Sequence, residues 1–208
     1  SISGPDCYAK VSFCDSKYTY SVPYSVTVSS ALDAFAHCVE SYFAKNSNEL
    51  SVMYAKRGIE ILWKHLVMFY NEKRLPGEKE RDELYTASLL GGLAINITGT
   101  CFPHTVGYVL TEDFGIPHGR ACTAFMNEYV SLAVKYEKEK ADEFFRIINS
   151  GKDTFEKIIN ALTDINIKMS EEEIDSYSKR WANGVKNFER TPGEFTYETA
   201  REILKKFL

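Results

Sequence analysis

Beyond Pro23 the apolar positions of this chain recur every three or four residues, and that period persists nearly to the last residue. From Val26 to about Lys45, Leu32, Phe35, Ala36, Val39, Tyr42 and Phe43 share one side of a helix, with Thr27, Ser29 and Ser30 as candidate caps near its start. Asp33, His37 and Glu40 fall on its other face. Asn46-Ser47-Asn48 ends that run, and Glu49 to about Asn71 predicts a second helix with Leu50, Met53, Ile59, Leu62, Trp63, Leu66 and Phe69 in its apolar stripe. A third begins at Glu78, acidic at first, and closes on the small apolar run ASLLGGLAINITG. Gly91 and Gly92 within it cost about 1 kcal/mol each relative to alanine, which points to close helix packing or ligand approach.

The segment from Gly99 to Gly119, GTCFPHTVGYVLTEDFGIPHG, is expected to be a loop bounded by prolines, with Pro117 at the first position of a helix running from about His118 to Tyr136. Four amphipathic stretches follow, roughly 139–150, 153–163, 170–188 and 197–207. Ser170 with Glu173 forms a capping-box pattern at the start of the third. Only the N-terminus departs from helical period: Tyr8 to Cys14 alternates as a short strand would, followed by Tyr18 to Val22. No partner strand is evident later, so this segment is expected to pair outside the 208 residues or to lie as an arm on the helices. The pattern as a whole predicts an all-α helical domain over 23–208 with an extended arm over 1–22.

Composition narrows the function classes. The chain is 44% hydrophobic and 26% charged, ordinary for a globular protein. A net charge of −4 without long single-sign blocks argues against nucleic acid or an anionic membrane as partner. With no membrane-length apolar run and no signal-peptide shape, the expected compartment is cytoplasmic. Five cysteines, an odd number without a C-x-x-C pair, fit reduced thiols. Neither a G-x-G-x-x-G nor a P-loop pattern occurs, and no G-x-S-x-G elbow supports serine catalysis.

The remaining chemistry is concentrated in histidines. Asp33 and His37, four apart, stand one turn from each other on a helix and could share a divalent ion; a solvated Asp–His pair is the competing reading. His104 and His118, each following a proline, add two imidazoles from other segments. One carboxylate with three imidazoles suits Zn²⁺ or Fe²⁺ better than Mg²⁺ or Ca²⁺. His65, with no second donor at suitable spacing, reads as structural or exposed. Cys38, Cys101 and Cys122 neighbour these residues in sequence, but none is taken as a ligand; Cys38, about 100° around the helix from His37, reads as core.

Two of these patterns resemble the iron-containing (group III) alcohol dehydrogenases, in particular their C-terminal helical domain. Asp33-Ala34-Phe35-Ala36-His37-Cys38-Val39-Glu40 matches that family's D-A-x-x-H-x-x-E helix, and His104 is followed fourteen residues later by the histidine of Pro117-His118-Gly119. The resemblance runs from about residue 8 to about 136 and, more loosely, through the remaining helices. It implies a dehydroquinate-synthase-like helical domain with Asp33, His37, His104 and His118 as ligands to Fe²⁺, alternatively Zn²⁺. The implied activity interconverts small alcohols and aldehydes or ketones with NAD(P), the metal activating the substrate oxygen. It further implies that residues 1–22 are the remnant of a nucleotide-binding domain that would hold most of the NAD(P), so that this chain is a portion inactive alone. Phe102, Phe114 and the Gly91–Gly99 run are expected around the site. Where the family commonly has another histidine, four residues after the third ligand, this chain has Tyr108, the candidate catalytic residue that could donate a hydrogen bond or relay a proton, with a structural tyrosine as the competing reading. The sequence leaves self-association open. The rivals are a Zn²⁺ enzyme like glycerol dehydrogenase or dehydroquinate synthase, and a non-catalytic helical module without metal.

Overall fold

The computed structural model describes residues 5–180 and 185–208, and among them the regular structure is entirely helical. Helix α1 (Tyr24–Phe43) lies at the centre, packed against α2 (Glu49–Glu72) and α3 (Glu78–Thr98), which also pack on each other. Leu32, Phe35, Ala36, Val39, Tyr42 and Phe43 are all fully buried, as the period requires. In α2 the stripe is narrower than predicted. Ile59, Leu62, Trp63, Leu66 and Phe69 are buried, but Leu50 and Met53 in the first turns are exposed.

Local chemistry fixes the helix starts. Asn48 caps α2 by accepting from Ser51 N at 3.0 Å, while Ser51 Oγ accepts from Asn48 N at 3.0 Å. Glu80 accepts from Gly77 N at 2.7 Å and so closes the first turn of α3.

The two-proline segment differs from expectation. It contains a helix, α4 (Phe102–Glu112), with Pro103 in its first turn. A proline there lacks only an N–H that the helix does not use, so Pro103 opens a helix where the sequence suggested the edge of a loop. The predicted helix 118–136 is two, α5 (His118–Thr123) and α6 (Met126–Tyr136), with Pro117 as the cap residue preceding α5. The break at Ala124 and Phe125 lets α5 lie along α1 while Phe125 turns inward, edge-on to Phe207 with ring centroids 5.9 Å apart.

The remaining helices complete the bundle: α7 (Lys138–Ile147), α8 (Lys152–Thr163), α9 (Glu171–Arg180), α10 (Lys186–Glu189) and α11 (Tyr197–Leu204). The predicted helix 170–188 is thus represented by α9 and α10; 181–184 lie outside the described residues. Lys45 N donates to Arg190 O at 2.8 Å and Met169 N to Phe207 O at 2.7 Å, which ties the C-terminal segments back to the core.

The alternation at Tyr8–Cys14 does not become a strand. A strand's backbone groups need a neighbour, and among the described residues there is none. The segment instead runs along α3 with Tyr8, Val11 and Phe13 exposed; Tyr8 donates to Asn96 Oδ1 at 2.5 Å, and Ser16 and Tyr20 donate to Asp82. Arg81, buried in α3, donates to Val22 O at 2.9 Å and to Thr27 Oγ1 at 3.2 Å, fixing the entry into α1. No helix among the described residues is long and apolar enough to cross a membrane.

Candidate metal centre

Three helices carry the histidines to one point. Asp33 and His37 face it from α1, His104 from the first turn of α4, and His118 from the start of α5. Asp33 Oδ1 is the focus: His104 Nε2 lies 3.3 Å from it, His118 Nε2 3.6 Å and His37 Nε2 3.8 Å. The rings pack around that oxygen. His37 stacks on His104 with centroids 4.6 Å apart, and His104 meets His118 edge to face at 5.6 Å.

Glycines permit this convergence. A Cβ on Gly119 would stand 1.8 Å from Ser29 O, so only glycine lets α5 approach α1 one turn before Asp33. A Cβ on Gly91 would come 3.2 Å from Ala34 O and 3.5 Å from His37 Cβ, so the expected close packing is seen at this position of the small-residue run. Thr123 Oγ1 donates to Leu32 O at 3.0 Å and holds the other end of α5 to the same helix.

Two polar atoms at the heart of the cluster are unsatisfied. Asp33 Oδ1 and His104 Nε2 are buried and have no hydrogen-bond partner within the protein. Buried polar atoms are nearly always satisfied, so an orphaned acceptor beside an orphaned ring nitrogen marks a place for a further group. The spacing fits a cation. In a four-coordinate shell with bonds of about 2.0–2.1 Å, nitrogen and oxygen donors stand about 3.3–3.4 Å apart. The observed 3.3, 3.6 and 3.8 Å are close to such edges.

Glu40 supplies what ligand geometry needs from behind. Fully buried, it meets His104 Nδ1 at 2.5 Å through Oε1 and accepts from Cys101 N at 2.5 Å through Oε2. That contact orients the ring so that Nε2 faces Asp33, where a cation could take the place of its proton.

The titration tendencies follow from burial and charge. Burial opposes ionisation of Asp33, but His104 and the charges of His37 and His118 hold its carboxyl below the ordinary value. Burial lowers His37 against the pull of Asp33. For His104 burial is again the largest influence, yet Glu40 and Asp33 together overcome it and raise the imidazole well above its usual range.

The structure therefore brings all four predicted ligand residues together. It places Tyr108 beside them, one turn along α4 from His104, its ring stacked on His118 with centroids 5.6 Å apart. Tyr108 is 45% exposed and His118 side-chain exposure is 40%, against 2% at His104, so the cluster opens toward Tyr108 and His118. Phe102 is buried against Tyr129 and Phe195, and Phe114 is half-buried at the edge of the core. His65, one of the four histidines, is buried and paired with Glu83 at 2.7 Å, consistent with the structural reading.

Sequence reasoning passed over two residues. Glu40 was part of the matched pattern without a stated role, although i+7 from Asp33 and i+3 from His37 placed it on the same face. Cys122 was set aside, yet its sulfur joins Asp33, His104 and His118 in a group whose candidate donor atoms all lie within 4.8 Å of one another. Its spacing of four from His118, the same as that of Asp33 and His37, was the available signal.

Comparisons with known proteins give the family and the fold of the chain. The model of the Fe-containing alcohol dehydrogenase family, C-terminal, matches residues 27–206. Alcohol dehydrogenase 4 of Saccharomyces cerevisiae is 26% identical over 159 residues, covering 75% of this chain and 41% of its own. The NADPH-dependent butanol dehydrogenase of Clostridium saccharobutylicum is 26% identical over 166 residues, 76% of this chain and 41% of its own. In fold, the crystal structure of the iron-containing alcohol dehydrogenase of Thermotoga maritima is similar with a TM-score of 0.82 and 29% identity, covering 93% of this chain and 52% of that one. The chain thus spans about two fifths of the length of these curated relatives.

Proposed function

The chain belongs to the iron-containing alcohol dehydrogenase family, as its C-terminal helical domain, and on that premise we propose that it forms the metal-binding part of an NAD(P)-dependent enzyme interconverting small alcohols and aldehydes. The observation that carries this reading is the convergence of three imidazole Nε2 atoms on Asp33 Oδ1, with Asp33 Oδ1 and His104 Nε2 both left without a hydrogen-bond partner. Asp33, His37, His104 and His118 would hold Fe²⁺, or Zn²⁺ in its place. A divalent ion there supplies a Lewis acid to the substrate's alcohol or carbonyl oxygen.

The chain's own residues prepare that site. Glu40 fixes the His104 ring through Nδ1 and, with an ion bound, would keep the remaining proton there, so that Nε2 would be free to ligate. His37, stacked on His104, closes one side of the cluster. Tyr108 stands where a small substrate would enter, and burial keeps its hydroxyl protonated beyond the ordinary phenol range, so it donates a hydrogen bond at neutral pH. We assign it the positioning of the substrate oxygen and the relay of its proton. NAD(P) would be held mainly by residues other than these. More than half of each curated relative lies outside the matched region, and these 208 residues carry no glycine-rich phosphate loop.

The test uses Co²⁺ as a spectroscopic substitute. One equivalent should bind, ethanol should shift its visible bands, and both effects should vanish in His104→Ala. With NAD(P)H, Fe²⁺ and short aldehydes, turnover by these 208 residues alone should be negligible. Absence of metal binding, or binding indifferent to loss of His104, would refute the metal-centre assignment and leave a helical module without metal.

A further inference from the structure

Of the three cysteines in or near the core, one has its sulfur among the imidazoles. Cys38 Sγ is packed between α2 and α3, where a Cβ on Gly58 or Gly91 would meet it, and Cys101 Sγ takes a hydrogen bond from Tyr129 at 3.2 Å. Cys122 Sγ instead lies 3.6 Å from Nδ1 and 3.6 Å from Nε2 of His118. It belongs with Asp33, His104 and His118 to the group whose donor atoms are mutually within 4.8 Å, and His37 stands outside that group.

The position of the sulfur is fixed by the backbone. Cys122 is fully buried, four residues after His118 on α5. A Cβ on Gly107 would come within 2.8 Å of Cys122 N and Cα, so α4 and α5 are in direct contact there. The sulfur-to-nitrogen separation also matches coordination. Bonds of about 2.3 Å to sulfur and about 2.0–2.1 Å to nitrogen place the two donors about 3.5 Å apart on a tetrahedral shell; because the sulfur is equidistant from the two ring nitrogens, ligation together with Nε2 also requires a turn of the His118 ring.

We propose that Cys122 is an additional metal ligand, joining Asp33, His104 and His118 around a borderline-soft divalent ion such as Zn²⁺. This rests on the metal-centre reading above and adds a donor that the four-residue set lacks. On ligation the thiol proton is released to solvent and the sulfur pair is given to the metal. A thiolate shifts the preference of the site toward Zn²⁺ relative to an all-nitrogen-and-oxygen shell, the softer ligand favouring the softer ion.

The 208-residue chain carrying Cys7→Ser and Cys14→Ser, which removes the two exposed thiols, is titrated with Co²⁺ and then with Zn²⁺ in competition. The expected result is a thiolate-to-cobalt charge-transfer band in the near ultraviolet together with visible d–d bands. Cys122→Ser should abolish the first and retain the second, and should weaken Zn²⁺ about tenfold or more while weakening Fe²⁺ less. Cys122→Ala, checked for helicity without metal, separates loss of the ligand from loss of the fold. Visible bands without the charge-transfer band in the parent protein would overturn the proposal and leave the metal centre intact. Failure to bind Co²⁺ at all would overturn both.

Discussion

Gly119→Ala tests whether the approach of α5 to α1 positions the metal centre. The added Cβ would stand 1.8 Å from Ser29 O, 2.7 Å from Ser29 C and 3.0 Å from Asp33 Cβ, whereas ordinary contact begins at 3.4 Å. The two helices must therefore separate by about 1.6 Å at this point, because the nearest obstructing atoms, Ser29 O and C, are backbone. Overpacking of this kind costs about 1–3 kcal/mol, which in a chain of this size lowers the melting temperature by roughly 2–12 °C. The larger effect should be on metal. His118 adjoins the displaced residue, and a site tolerates only about 0.5 Å of misplacement in its ligands. Zn²⁺ affinity, measured by competition with a chromophoric chelator, should fall by about 100-fold. Gly92→Ala is the internal control: its Cβ would meet nothing within 4 Å, and alanine in a helix interior should add up to about 1 kcal/mol of stability with metal affinity unchanged. Wild-type affinity and melting in Gly119→Ala would refute the idea that this close approach sets the ligand geometry.

Three further outcomes follow from the same structure. Glu40→Gln should lower metal affinity about 10–100-fold by removing the charged acceptor behind His104, and should bring the His104 resonances to a lower titration midpoint by NMR; unchanged values would separate Glu40 from the site. In the metal-free protein His37 titrates below its ordinary 6.5 and His104 well above it. Between the folded His37 value and 6.5 the unfolded chain binds more protons, so stability rises with pH; from 6.5 up to the folded His104 value the native protein binds more, so stability falls. Urea denaturation should accordingly show a maximum near pH 6.5, and a flat profile across neutrality would contradict it. Asn48→Ala removes the cap of α2 and should cost about 1 kcal/mol in the same assay; no change would mean that solvent replaces the cap.

The helical period made α1 and α2 legible because each buries one long stripe: Leu32 to Phe43 and Ile59 to Phe69 follow 3.6 residues per turn without interruption. The ligand residues were legible for a related reason, since donors four apart must share a face. Tertiary context decided what could not be read. Pro103 signals a boundary from either side, and only packing distinguishes the first turn of a helix from the edge of a loop. Phe125 continues the apolar period of its neighbours, so the break before α6 arises from the burial of its ring against Phe207. The alternation of Tyr8 to Cys14 carried a strand signal, and among the described residues no neighbouring strand completes it. Cys122 resembled a core cysteine because burial is what cysteines commonly show, and its proximity to His118 and His104 depends on how α4 meets α5.

The rise in exposure from His104 to His118 has a kinetic meaning. His104 is anchored behind by Glu40, whereas His118 belongs to a helix of six residues and faces outward with Tyr108 over its ring. Ion and substrate would therefore pass the same doorway, with His118 and Tyr108 as its posts. On the proposed function, a bound alcohol would stand between the ion and any chelator approaching from outside, and metal would leave more slowly with alcohol present than without it.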